Sequence, residues 1–161
     1  MLMKKNRIIK NILLMTMLCS LLLGCGKRQG EIFDVPIFNS ITFDSAMTQK
    51  DVKAELDNNN IRNAELSEGI GADANWLDHD GVAMFTFDND SKLLSIQWMC
   101  EYSPEDMDVY VSVINYLNDS YGEMSKTNDE NIYAWKNGTV LFVLGDDSCS
   151  VQWYRSDWRD N

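Results

Sequence analysis

An α+β domain, in which an antiparallel sheet carries two helices packed on one face, is the fold class predicted by three features of this sequence. One helix-periodic segment has both ends specified, a second shorter segment carries its own cap, and alternating apolar runs are separated by Asn, Asp and Gly turn residues. The length of 161 residues, with 45% hydrophobic and 11% aromatic residues, suits one domain with a real core and is too apolar for a disordered tail. A net charge of -11 excludes nucleic-acid binding driven by global charge.

The first element is not part of the fold. Lys4, Lys5, Arg7 and Lys10 precede an apolar run from Ile12 to Leu23, which at twelve residues is short of the roughly 20 that a membrane-spanning helix needs. That pattern predicts a signal peptide over residues 1–24. It ends in Leu22-Leu23-Gly24-Cys25, which resembles the bacterial lipobox. The resemblance implies cleavage before Cys25 and a diacylglyceryl group on its sulfur, whose two acyl chains anchor stably where one would not. Residues 25–30 would form the lipidated cysteine and a short tether, with 31–161 as a single domain. From Cys25 onward 10 basic residues stand against 25 acidic ones, a net of -15, so the domain would be repelled from anionic headgroups while Lys27 and Arg28 sit among them.

Within the domain, Thr48 with Asp51 three residues on reads as the capped start of a short helix, Met47 and Val52 have staple spacing, and Asn58-Asn59-Asn60 ends it near Asp57. Val82 to Phe87 and Leu93 to Tyr102 read as strands around the turn Asp88-Asn89-Asp90-Ser91, with Leu94, Ile96, Trp98 and Cys100 on one face. A helix is predicted from Pro104 to Tyr121, capped by Ser103 and stopped by Gly122, burying Met107, Tyr110, Ile114, Leu117 and Tyr121. Asn137-Gly138 joins strands Ile132 to Lys136 and Thr139 to Leu144. A last strand, Cys149 to Arg155, would turn Cys149, Val151 and Trp153 inward. The order is compatible with two diverged helix-then-strands units.

A lipobox, a short linker, then Phe43-Asp44-Ser45-Ala46-Met47-Thr48-Gln49-Lys50-Asp51-Val52 opening a helix before a meander resembles small envelope lipoproteins of the BamE (SmpA/OmlA) and β-lactamase-inhibitor-protein type. The resemblance implies an adaptor or inhibitor that binds proteins with a sheet face. Ala46 and Asp57-Asn58 depart from those families, which favour glycine before the methionine and glycine-proline after the helix.

Catalytic chemistry finds no residue set. His79 is the only histidine and lies in the polar stretch Trp76 to Gly81, read as a turn with an exposed imidazole, so no Ser-His-Asp, Cys-His or zinc arrangement can be assigned. No paired carboxylates stand out for glycoside cleavage, and no cofactor is called for. Asp78, Asp80, Asp88 and Asp90, with Asp146 and Asp147, offer oxygen ligands for calcium and are equally the residues that turns use. Cys100 and Cys149 remain after export as a disulfide pair or as two small buried hydrophobes. Five tryptophans exceed what so small a core need hold. Trp135, beside the Asn137-Gly138 hairpin, and Tyr154 and Trp158, off the inner-face register near the acidic C-terminus, are expected at the surface as a partner-binding set or a carbohydrate-stacking platform, or else as covers for the open edges and ends of the sheet. The expectation is a non-enzymatic, lipid-anchored protein at the extracytoplasmic face of the cell membrane, or of an outer membrane if the cell has two, that binds an envelope protein. The alternative is an extracytoplasmic small-ligand or calcium-binding module.

Overall fold

A computed structural model describes residues 30–160 except Pro104 and Asp106. The expected signal peptide, Cys19 and the expected lipidation site Cys25 lie outside the described residues, as does the expected first helical residue Pro104. Among the described residues the chain is a mixed α and β structure with two α-helices and a mostly antiparallel sheet.

A small two-stranded sheet, β1 (Ile32–Phe33) and β2 (Phe43–Asp44), opens the fold. Helix α1 (Gln49–Asn58) follows, then β3 (Asn63–Leu66), β4 (Gly69–Trp76), β5 (His79–Phe87) and β6 (Leu93–Glu101). Helix α2 (Asp108–Tyr121) leads into β7 (Ser125–Lys126), β8 (Ile132–Trp135), β9 (Val140–Leu144) and β10 (Ser148–Tyr154). Strands β3 to β10 form one eight-stranded sheet in the order β3-β4-β5-β6-β10-β9-β8-β7. Each helix thus precedes four strands, and the last strand of each set meets the other in the middle of the sheet.

Local chemistry explains where α1 sits. Thr48 Oγ1 accepts from the Asp51 backbone N–H at 3.4 Å and the Asp51 carboxylate accepts from the Thr48 N–H at 2.9 Å, the reciprocal box expected from the sequence. Val52 and Leu56, one turn apart, are wholly buried.

The second helix departs from expectation. It begins at Asp108, after Met107, and Ser103 instead accepts from the Glu105 N–H in the turn before it. Its most buried line is Val109, Val113 and Leu117, while Tyr110, Ile114 and Tyr121 are half-buried and Met107 is exposed. The predicted stripe is one flank of the true one: compact valines fill the centre, and the tyrosines lie where their hydroxyls reach polar partners. Tyr121 shows this, donating to the Asp34 carbonyl at 2.7 Å and accepting from Trp153 Nε1 at 3.2 Å.

The sheet holds most of the core. Ile70, Ala72, Ala83, Phe85, Ile96, Trp98, Val151, Trp153, Val140 and Phe142 alternate onto one buried face, and the buried residues of both helices belong to the same apolar cluster. Trp76 packs edge-on against Trp98, Tyr116 and Trp153. A bulge at Thr86 and Phe87 pairs Phe87 with Leu93, so Leu93 turns inward and Leu94, expected there, is only half-buried.

Two turns differ from expectation. The β8–β9 loop spans Lys136 to Thr139, longer than two residues, with Lys136, Asn137 and Gly138 all at positive φ. The stretch Trp76 to Gly81 is no extended turn: Leu77 and Asp78 alone reverse the chain, at φ of 55° and 65°, between the paired residues Trp76 and His79. That backbone normally selects Asn-Gly, so the sequence marked a turn in this stretch without marking its tight two-residue form.

Candidate functional site

The candidate site is the other face of the sheet. Alternation dictates which residues reach it, and the register places them in rows across the strands. One row runs Asp73, Val82, Met99, Ser150, Val143 and Ile132; the next runs Gly71, Met84, Gln97, Gln152, Leu141 and Ala134. Val82 is 42% exposed, and Met84, Met99, Leu141, Val143 and Ile132 are all half-buried. An antiparallel sheet with one open face ordinarily alternates apolar and polar residues. Here strand β9, Val140-Leu141-Phe142-Val143-Leu144, is apolar on both faces. That uninterrupted run is the signal in the sequence for a second apolar face, which the tryptophan positions do not carry.

The rim of this face is charged and polar. Asp73 and Asp80 are exposed near its β4–β5 corner, and Asp80 accepts from Asn75 Nδ2 at 2.9 Å. A groove of about 670 Å³ opens at the strand ends beside Val82 and Met99, where it is also lined by His79, Asp80 and Glu101. His79, expected in an exposed turn, is half-buried at the start of β5.

The three aromatic candidates separate. Trp135 is buried, 1% exposed, with Nε1 donating to Asn118 Oδ1 of α2 at 3.2 Å, so its expected exposure is corrected. It pairs with Val140, which puts it on the core face. Tyr154 and Trp158 are half-buried and stack at a centroid distance of 4.4 Å, with the Arg159 guanidinium over the Trp158 ring. Tyr154 pairs with Ser95, which pairs with Thr86, so this stack stands at one end of the open face. Burial raises the pKa of Tyr154, whose hydroxyl donates to Gln152 Oε1.

The acidic candidates do not converge. Asp88 Oδ1 accepts from the N–H groups of Asp90 and Lys92, each at 2.9 Å, and Oδ2 pairs with Arg155 at 2.8 Å, so its carboxylate is committed to the β5–β6 turn. Asp90 is exposed in the same turn, and Asp78 is exposed at the β4–β5 turn. Asp146 and Asp147 lie in the β9–β10 turn. Among the described residues no three His, Cys, Asp or Glu side chains are grouped to hold a metal ion. No described helix is long and apolar enough to cross a membrane.

Cys100 and Cys149 are brought together. They are register partners on β6 and β10, both buried, with free thiols 3.5 Å apart. In comparisons with known proteins the chain matches no protein family, no curated protein and no solved structure.

Proposed function

We propose that this chain is a lipid-anchored, extracytoplasmic, non-enzymatic domain that binds a protein partner on the open face of its sheet. The observation that carries the reading is the half-exposed apolar band of Val82, Met84, Met99, Leu141, Val143 and Ile132. Val82, Met84 and Met99 on β5 and β6, and Ile132, Leu141 and Val143 on β8 and β9, flank the polar Ser150 and Gln152 of β10, and apolar area framed by polar groups is what a protein-binding surface presents. The rim carboxylates Asp73, Asp80 and Glu101 select a partner whose apolar centre is fringed by Lys and Arg. Tyr154 and Trp158 supply aromatic contacts at the far end. The lipobox at Leu22-Leu23-Gly24-Cys25 supports the anchored location, since lipid on Cys25 would hold the domain close to the envelope.

The finer architecture belongs to this reading. Both helices cover the same face of the sheet, leaving the other for the partner. Tyr110 of α2 against Phe142, and Tyr116 of α2 against Trp76, support it for one helix. Val52 and Leu56 in the common core support it for the other. The mirrored strand order supports two diverged helix-then-strands units that meet at β6 and β10.

The reading is tested by Val82→Thr, Met99→Gln and Leu141→Gln combined, which keep side-chain shape while making the band polar. Their stability effects should stay near about 1 kcal/mol each because the positions are partly solvated. Partner capture by the full anchored chain should fall at least tenfold. Undiminished capture by a folded variant would overturn the assignment of this face.

A further inference from the structure

Cys100 and Cys149 face each other across the middle of the sheet, one near the end of β6 and the other near the start of β10. Directly opposed residues of antiparallel strands have Cα atoms about 4.5–5.5 Å apart, inside the range a disulfide spans. Their sulfurs stand 3.5 Å apart with both thiols free, so bond formation requires them to close by roughly 1.5 Å, within reach of side-chain rotation. We propose that Cys100 and Cys149 form a redox pair, oxidised by thiol–disulfide exchange with an external disulfide to a cross-strand bridge that staples β6 to β10.

The two sulfurs are not equivalent. Cys100 is 8% exposed and lines the groove shared with His79, Asp80 and Glu101, whereas Cys149 is 1% exposed and does not line it. Cys100 therefore makes the first attack. Its thiolate displaces one thiolate from the external disulfide, leaving a mixed disulfide at Cys100. The Cys149 thiolate then attacks Cys100 Sγ, forms the internal bond and expels the second thiolate. Two cysteine thiols lose two protons and two electrons, and the external disulfide becomes two thiols. The hydrogen bond from Cys149 lowers the pKa of Cys100 and raises that of Cys149, with burial adding to the latter, which favours the same order.

The bridge links positions 49 apart in sequence and ties the strands at which the two sets of four meet. It constrains the unfolded chain across α2 and β7 to β9. The exchange itself depends on neither the anchor nor a partner. The proposed extracytoplasmic location supplies only the oxidising compartment.

The test uses the full chain in detergent, equilibrated with buffered ratios of reduced and oxidised glutathione, quenched with a maleimide and digested with trypsin. Peptides 93–126 and 137–155 carry Cys100 and Cys149, and in any unprocessed chain 11–27 carries Cys19 and Cys25, which keeps those sulfurs out of the count. Oxidising ratios should link 93–126 to 137–155, with a mass two hydrogens below their sum, and raise the thermal midpoint by roughly 10 °C. Cys149→Ser should trap glutathione on Cys100, and Cys100→Ser should leave Cys149 unmodified. Free thiols at every ratio in the folded chain, with oxidation only in urea, would overturn the proposal. Glutathione trapped on Cys149 rather than Cys100 would overturn the order of attack.

Discussion

Asp88 holds the β5–β6 turn and the end of β10 with a single carboxylate. Burial works against its charge, but the N–H of Lys92, the Arg155 guanidinium and the N–H of Asp90 outweigh it and hold its pKa below 3.8. A depressed carboxylate pKa contributes stability that is complete above the unfolded value, near pH 4, and is lost as pH falls through the folded value. Asp88→Asn should therefore cost on the order of 2 kcal/mol at pH 7 in denaturant titrations. Its deficit against the parent chain should shrink below about pH 4. A deficit independent of pH would mean that packing, not charge, sets the effect. Gly81 is constrained differently. A Cβ there would lie 2.3 Å from the Met99 carbonyl oxygen and 2.7 Å from Trp98 Nε1, between β5 and β6. Gly81→Ala should destabilise by about 1–3 kcal/mol through this crowding, measured by thermal unfolding. The inward Cys149, Val151 and Trp153 were legible in the sequence because strict alternation encodes a face. The burial of Trp135 was not, since it depends on Asn118 of a helix seventeen residues upstream reaching its indole.

At the scale of elements, signals written within a few residues were readable and those made by pairing were not. The cap of α1 needed only Thr48 and Asp51. Thr48→Ala should lower stability by about 1 kcal/mol and leave the sheet unchanged, by circular dichroism and hydrogen exchange. The hairpins around Asp88 and Asn137 carried their turn residues in sequence. By contrast the β4–β5 reversal rests on Leu77, which seldom takes positive φ, followed by Asp78, which tolerates it better, and the seven register pairs of the joined strands hold it. The start of α2 was misplaced because Ser103, Pro104 and Glu105 compose a good helix N-terminus, while the structure spends Ser103 on the turn before it.

For the whole molecule, the central issue is what the two faces of the sheet do. One holds the aromatic core. The other offers an apolar band with an acidic rim, in a region whose net charge after Cys25 is -15. Partner capture through such a rim should weaken with added salt, because exposed charges are screened over about 10 Å at 0.1 M. Salt-independent capture would remove the basic fringe from the description of the partner. The net charge of -11 argues only against nucleic-acid binding driven by global charge. The apolar run of β9 marks a second apolar face in the sequence, but that Val82 and Met99 share this face with Val143 follows only from the register of separate strands. The most direct measurement is in-cell photo-crosslinking of the full chain, with the photoreactive side chain at Met99 on the open face or at Val111, 48% exposed on α2. A discrete protein adduct is expected from Met99 that Val111 does not give. The same adduct from both positions, or an adduct from Val111 alone, would contradict that expectation.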